Sequence, residues 1–179
     1  MVTNDDFKKA VDLINNSSNI LLTAHTKPDG DACGCIVSIS NVLESMGKKN
    51  KAIMLSSIPE WYDFLFSEKV PVLGEDVDLD QLTDGNFGEF DLIIIVDTNS
   101  LSQLPKFDQY LKQNNKSVLI IDHHATADGL GDVELVDSSA AATGLIVYNL
   151  LNYAGWQITE FDLLKRVLSP CGREAQSFA

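Results

Sequence analysis

Residues 19–34 read NILLTAHTKPDGDACG. The first six, Asn19 to Ala24, form a short apolar run bounded by polar residues, the pattern of a buried strand. His25 to Asp31 is a polar loop punctuated by Pro28 and Gly30. Ala32 to Met46 follows with the apolar spacing of a helix, and Gly47 suits the left-handed position just past its end. A buried strand feeding a polar loop and then a helix is the opening half of a strand–helix–strand unit.

The pattern repeats outward from this stretch. Asp5 to Ile14 reads as an amphipathic helix through Phe7, Ala10, Val11 and Ile14. Lys51 to Leu55, Asp91 to Val96 and Lys116 to Ile121 read as further strands, the last two as continuous apolar runs. Leu101 to Lys112 and Ala140 to Tyr153 read as helices. SSIPEWYDFLF (56–66) predicts a loop and short helix over the sheet; for Trp61, Tyr62 and Phe64 core packing is the first reading and a base-stacking surface the alternative. GEDVDLDQLTDGNFGEF (74–90) predicts a solvated loop or short helix. Alternation with continuous apolar strands indicates an α/β fold with a mostly parallel sheet and helices on both faces. Thr159 to Leu168 has helical spacing, and the last residues have no periodicity.

The bulk composition narrows the function. The chain has 179 residues, a size for one domain or one domain and the start of another. No apolar stretch is long enough to span a membrane. The N-terminus has no secretory pattern, so the expected location is cytoplasmic. The formal net charge is −13. Such a chain repels nucleic-acid backbones, and no basic stripe reverses the field, so long-duplex nucleic acid is excluded as a partner. An anionic substrate then needs metal ions or a few placed side chains. The three cysteines, Cys33, Cys35 and Cys171, have no disulfide-framework spacing. Cys33 and Cys35 read as small buried thiols.

Each cluster of chemically capable residues follows an expected strand. His25, Asp29 and Asp31 follow the first, Asp97 the third, and Asp122, His123 and His124 the fourth. In open α/β sheets, sites form beyond the carboxyl ends of the strands. Gly30 lets the loop turn so that Asp29 and Asp31 can face one pocket and reach different ions. His25 can join Asp29 on one ion and His123 can join Asp31 on a second, with the two oxygens of Asp97 bridging. Four crowded carboxylates would repel, and two divalent cations balance them. Mixed carboxylate and imidazole donors suit manganese, with magnesium or cobalt as substitutes. Two such ions, roughly 3.5–4 Å apart, clamp a phosphoryl group and activate water. His124 is then free to hydrogen-bond a phosphate oxygen, and Asp122 to orient a histidine.

HTKPDGDACG at 25–34, VDTNS at 96–100 and IDHHATADG at 121–129 resemble the first three motifs of the DHH phosphoesterase superfamily. DSSAAATGLIVYNLL at 137–151 is similar to the helix that follows its third motif. Gly30 between the aspartates looks like the RecJ-like branch, and the spacing is similar to the nanoRNase and phosphoadenosine-phosphate phosphatase group. The resemblance implies a manganese enzyme that hydrolyses short oligoribonucleotides or phosphoadenosine phosphate. It implies His25, Asp29 and Asp97 on one ion, Asp31, Asp97 and His123 on the other, and catalytic roles for His124 and Asp122. It further implies a later Gly-Ile-x-x-Asp-Thr-Gly motif and a substrate-clamping domain, and neither stands in this sequence. Residues 1–156 thus read as a DHH-type catalytic domain and 157–179 as a tail departing from the family pattern, as in a truncated chain.

Two other functions fit the same residues. One is a pyrophosphatase, polyphosphatase or cyclic-dinucleotide phosphodiesterase. The other is a metal-binding module with little or no catalysis. The expected partners are a phosphate-ester small molecule or short RNA, without a membrane. Apolar surface bared by an absent domain predicts a homodimer. Lys27 reads as solvated, and Asp128 and Asp132 as loop acids. Ser139 and Thr143 read as helix caps or as donors near the site.

Overall fold

The computed structural model describes residues 1–156. The expected helix over 159–168 and the 157–179 tail lie outside the described residues. The sheet has five strands: β1 (Asn19–Ala24), β2 (Lys49–Ala52), β3 (Leu92–Val96), β4 (Ser117–Asp122) and β5 (Val133–Val136). Their order is β2-β1-β3-β4-β5, and every pairing is parallel. The expected mostly parallel sheet is therefore wholly parallel. No helix among the described residues is long and apolar enough to cross a membrane.

Among the described residues five α-helices flank the sheet: α1 (Asn4–Asn16), α2 (Gly30–Ser45), α3 (Leu79–Thr83), α4 (Phe107–Gln113) and α5 (Thr143–Ala154). Successive strand residues point to opposite faces. Ile20, Leu22, Leu92, Ile94, Leu119 and Ile121 meet residues of α1, α2 and α5. Leu21, Ile93, Ile95, Val118 and Ile120 meet Leu82 of α3 and Phe107 and Tyr110 of α4. Covering both faces explains why β1, β3 and β4 are nearly continuous apolar runs.

The differences from the sequence reading have local causes. β2 ends at Ala52, short of Leu55, because Met54 leaves the ladder to bridge Val72. The expected helix over 101–112 is split into a 3-10 turn at Leu101–Gln103 and α4. Pro105 has no amide to donate, and Lys106 takes a positive φ of 64°. β5 has no counterpart in the sequence reading, because Glu134 interrupts a four-residue run. Its carboxylate is used: it accepts from Asn99 Nδ2 (3.1 Å) and from the Gly131 amide (3.0 Å).

Register positions the chemistry. Ala24 pairs with Val96, and Val96 with Ile121. His25, Asp97 and Asp122 thus leave three adjacent strands at one level. The chain passes from β1 outward to β2 and returns beyond β1 to β3. The crevice between β1 and β3 is the switch point where such sheets bind ligands.

Candidate metal centre

Asp97 is the centre of the site. It follows β3, is 2% exposed, and has a φ of 62°. A non-glycine residue in that region is strained, and such strain concentrates at functional positions. Its amide donates to the Ile121 carbonyl (2.9 Å), which fixes the turn. Thr143 Oγ1 donates to its Oδ1 at 2.7 Å. Three imidazoles surround the same carboxylate. His25 Nε2 lies 3.4 Å from Oδ2, His123 Nε2 3.7 Å from Oδ1, and His124 Nδ1 3.9 Å from Oδ1.

Two donor groupings share this residue. His25, Asp29 and Asp97 bring one ligand atom each within 4.8 Å of one another, and so do Asp97, His123 and His124. Asp29 also caps α2, because one oxygen, Oδ1, accepts from the amides of Asp31 and Ala32. Asp31 lies outside both groupings. Its Oδ2 accepts from the Thr143 amide (2.7 Å) and its Oδ1 from the Gly144 amide (2.9 Å). Ala142, the N-cap residue of α5, has no side chain that can cap, and Asp31 fills that place from 112 residues away. An uncapped helix start at Ala142 is the sequence signal that an outside carboxylate is needed. Thr143 therefore touches both Asp31, through its amide, and Asp97, through its hydroxyl, and is the donor near the site that its place at a helix start allowed.

Asp122 is fully buried. Its Oδ1 accepts from His124 Nδ1 (2.8 Å) and the His124 amide (3.2 Å), which orients that half-exposed ring. Asp128 accepts from Ser100 Oγ and the Leu101 amide and so serves the loop rather than the cleft. The Asp132 carboxylate accepts from the Val118 amide. Lys27 is exposed, with its amide donating to Ser56 Oγ (2.6 Å). The cleft encloses about 350 Å³ and is also lined by Asn99, Ser100, Ser102, Gln103 and Thr126.

The electrostatics favour a cation here. His25 Nδ1 faces the Thr26 carbonyl (2.8 Å), which only accepts, so Nδ1 carries a proton and Nε2 confronts the Asp97 carboxylate. Only a proton or a metal ion between them makes that contact attractive. The hydrogen bond that His25 donates to Asp97 pushes its imidazole above the ordinary 6.5. Burial raises the Asp97 carboxyl, yet hydrogen bonds from His25 and Thr143 outweigh it and leave the group below 3.8. Burial, and then the negative charge of Asp97, push Asp31 above 3.8. Among the described residues, one buried side-chain oxygen, Asp122 Oδ2, has no hydrogen-bond partner. Crowded carboxylates with inward imidazole nitrogens fit divalent cations of the manganese kind.

Known proteins share this architecture. The probable bifunctional oligoribonuclease and PAP phosphatase NrnA of Streptococcus mutans is 28% identical over 141 residues, covering 79% of this chain and 41% of that protein. The chain thus spans well under half the length of that curated relative. An exopolyphosphatase-related protein from Bacteroides fragilis superposes with a TM-score of 0.79 at 19% identity, covering 87% of this chain and 45% of that one. RecJ from Thermus thermophilus, solved in complex with Mn2+, superposes with a TM-score of 0.54 at 12% identity, covering 92% and 23%. The model of the DHH family, N-terminal domain, matches residues 19–169, and on that match the chain belongs to the DHH family.

Proposed function

We propose that this chain carries the catalytic half of a manganese-dependent phosphoesterase acting on short oligoribonucleotides or phosphoadenosine phosphate. The observation that carries the proposal is the single buried carboxylate of Asp97 shared by two groupings of metal-ligating side chains. The phosphoesterase class follows from the DHH family. The substrates are suggested by the name of the Streptococcus relative.

His25, Asp29 and Asp97 would hold one ion, and Asp31, Asp97 and His123 a second. When bound, two such ions supply Lewis acidity toward phosphorus and an activated water. The remaining work belongs to the side chains. Thr143 keeps one lone pair of Asp97 engaged and so directs the others into the cleft. Asp122 holds His124 through Nδ1, which leaves Nε2 turned to the substrate, and as the imidazolium His124 would donate a hydrogen bond from Nε2 to a phosphate oxygen as charge develops there. The α5 amides of Thr143 and Gly144 donate to the two oxygens of Asp31 and so fix that carboxylate beside Asp97.

The test is hydrolysis of a 5′-phosphorylated adenine dinucleotide, phosphoadenosine phosphate and pyrophosphate with manganese, beside a calorimetric count of bound manganese. Asp97→Asn keeps the shape and tolerates the left-handed backbone. Nucleotide hydrolysis by the wild type, lost in this variant, is the expected result. Preference for pyrophosphate would move the assignment to the pyrophosphatase reading. Fewer than two bound ions together with no hydrolysis would leave a metal-binding module.

A further inference from the structure

The segment 56–66 serves the core only in part: Tyr62 packs there as expected, and Trp61 and Phe64 do not. Residues Glu60–Leu65 form a 3-10 helix, in which side chains three apart stand above one another. Tyr62 and Leu65 face α2 and pack with Cys33 and Val37. Trp61 and Phe64, also three apart, share the outer face and are 66% and 50% exposed. With Tyr62 and Leu65 turned to α2, Trp61 and Phe64 are carried round the turn to its outer side.

This aromatic face is attached to the metal loop. The Tyr62 ring lies against Gly30, between Asp29 and Asp31; a Cβ there would stand 3.2 Å from Tyr62 Cε1 and 3.3 Å from its hydroxyl. Trp61 meets Tyr62 edge-on, with ring centroids 6.0 Å apart and planes inclined by 66°. The Lys27 amide is tied to Ser56 at the start of the same segment. The rings therefore continue outward from the loop that bears two candidate ligands.

We propose that Trp61, with Phe64 beside it, is a stacking platform for a nucleobase of the substrate whose phosphate lies in the Asp97 cleft. The inference rests on the phosphoesterase reading above and adds that the substrate carries a base. An indole face accepts any base by stacking, without hydrogen-bond readout. Glu60 and Asp63 on the same turn repel phosphate but not the face of a neutral base. The phosphate is thereby left to the cation-holding residues. An inorganic polyphosphate has nothing to place on this surface.

The experiment uses the full chain with Trp156→Phe, which leaves Trp61 as the only tryptophan of the original two. A 5′-phosphorylated adenine dinucleotide is titrated in manganese while Trp61 fluorescence is followed, beside the same compound with abasic riboses. Saturable quenching by the adenine compound but not the abasic one is expected. Trp61→Ala should raise KM for the adenine dinucleotide roughly 5- to 150-fold, the range that stacking one base supplies, with kcat little changed. Trp61→Phe, which keeps a stacking ring, should recover most of the loss. Equal quenching by both compounds, or equal loss on both in Trp61→Ala, would overturn the platform. So would a change of oligomeric state on light scattering with nucleotide affinity intact, which would make the face an interface between copies. If the wild type hydrolyses nothing, the phosphoesterase reading fails, and the quenching titration still decides the platform.

Discussion

Replacing Thr143 by Val removes one hydroxyl and almost no volume. That hydroxyl is fully buried and donates to Asp97 Oδ1 at 2.7 Å. Hydrogen bonds to charged groups contribute about 1.5–3 kcal/mol, and the carboxylate left behind is 2% exposed, with little access to water. The metal-free protein should therefore lose about 1.5–3 kcal/mol at neutral pH. For a chain of this size that is a fall in Tm of roughly 3–12 °C. Urea melts in the presence of a chelator give the free energy directly, with an unchanged m-value showing that the unfolded state is the same. Thr143→Ser keeps the donor and loses one methyl group, so it should fall by only about 1 kcal/mol. Manganese affinity should weaken about 10- to 100-fold in Thr143→Val, because the ligand oxygen loses the partner that orients it. A Thr143→Val protein within about 0.5 kcal/mol of wild type, or a Ser variant as unstable as the Val variant, would refute the bridging role.

Three further outcomes are expected. His25 is raised above 6.5 by Asp97, so in chelator the stability from this pair is full below 6.5 and is lost as pH rises through the raised value. A metal ion competes with the same proton, so manganese binding should instead strengthen over that rise; melting curves at about pH 6 and about pH 8, with and without manganese, should run in opposite directions, and parallel trends would exclude His25 as a ligand. Gly131→Ala should cost about 1–3 kcal/mol, since its Cβ would meet the Val133 carbonyl at 2.7 Å and Ile120 Cγ1 at 2.9 Å; an unchanged urea midpoint would count against the tight turn into β5. Burial pushes the Cys33 thiol to about 12 and the Cys35 thiol well above 9.0. Iodoacetamide should leave the peptide that holds both thiols unlabelled in the native protein by mass mapping, and rapid labelling of either would contradict that burial.

The parts legible in the sequence are those that obey a local rule. β1 has the expected bounds, and β3 and β4 begin within a residue of theirs, because strands covered on both faces must be apolar throughout. The row of His25, Asp97 and Asp122 follows from strand ends in register, which made the clustering of histidines and aspartates readable. What stayed hidden depends on partners far along the chain. β5 carries Glu134, whose role appears only with Asn99 beside it. Asp31 resembles a free ligand until α5 arrives to take both of its oxygens. Trp61 and Phe64 read as core because aromatic residues usually are, but Tyr62 and Leu65 take the face against α2 and leave those two outside.

The tie between Asp31 and α5 also sets an order in time. Its two ends are separated by 112 residues, with every strand of the sheet lying between them or just before. During synthesis, His25, Asp29 and Asp31 emerge early and remain solvated carboxylates and imidazole on an unfinished sheet. The pocket acquires its final shape only after Thr143 and Gly144 have left the ribosome. Nascent chains stalled before that point should capture manganese weakly, and chains stalled beyond α5 should capture it as the released protein does. Metal uptake would then mark the docking of α5 on the sheet as the chain leaves the ribosome.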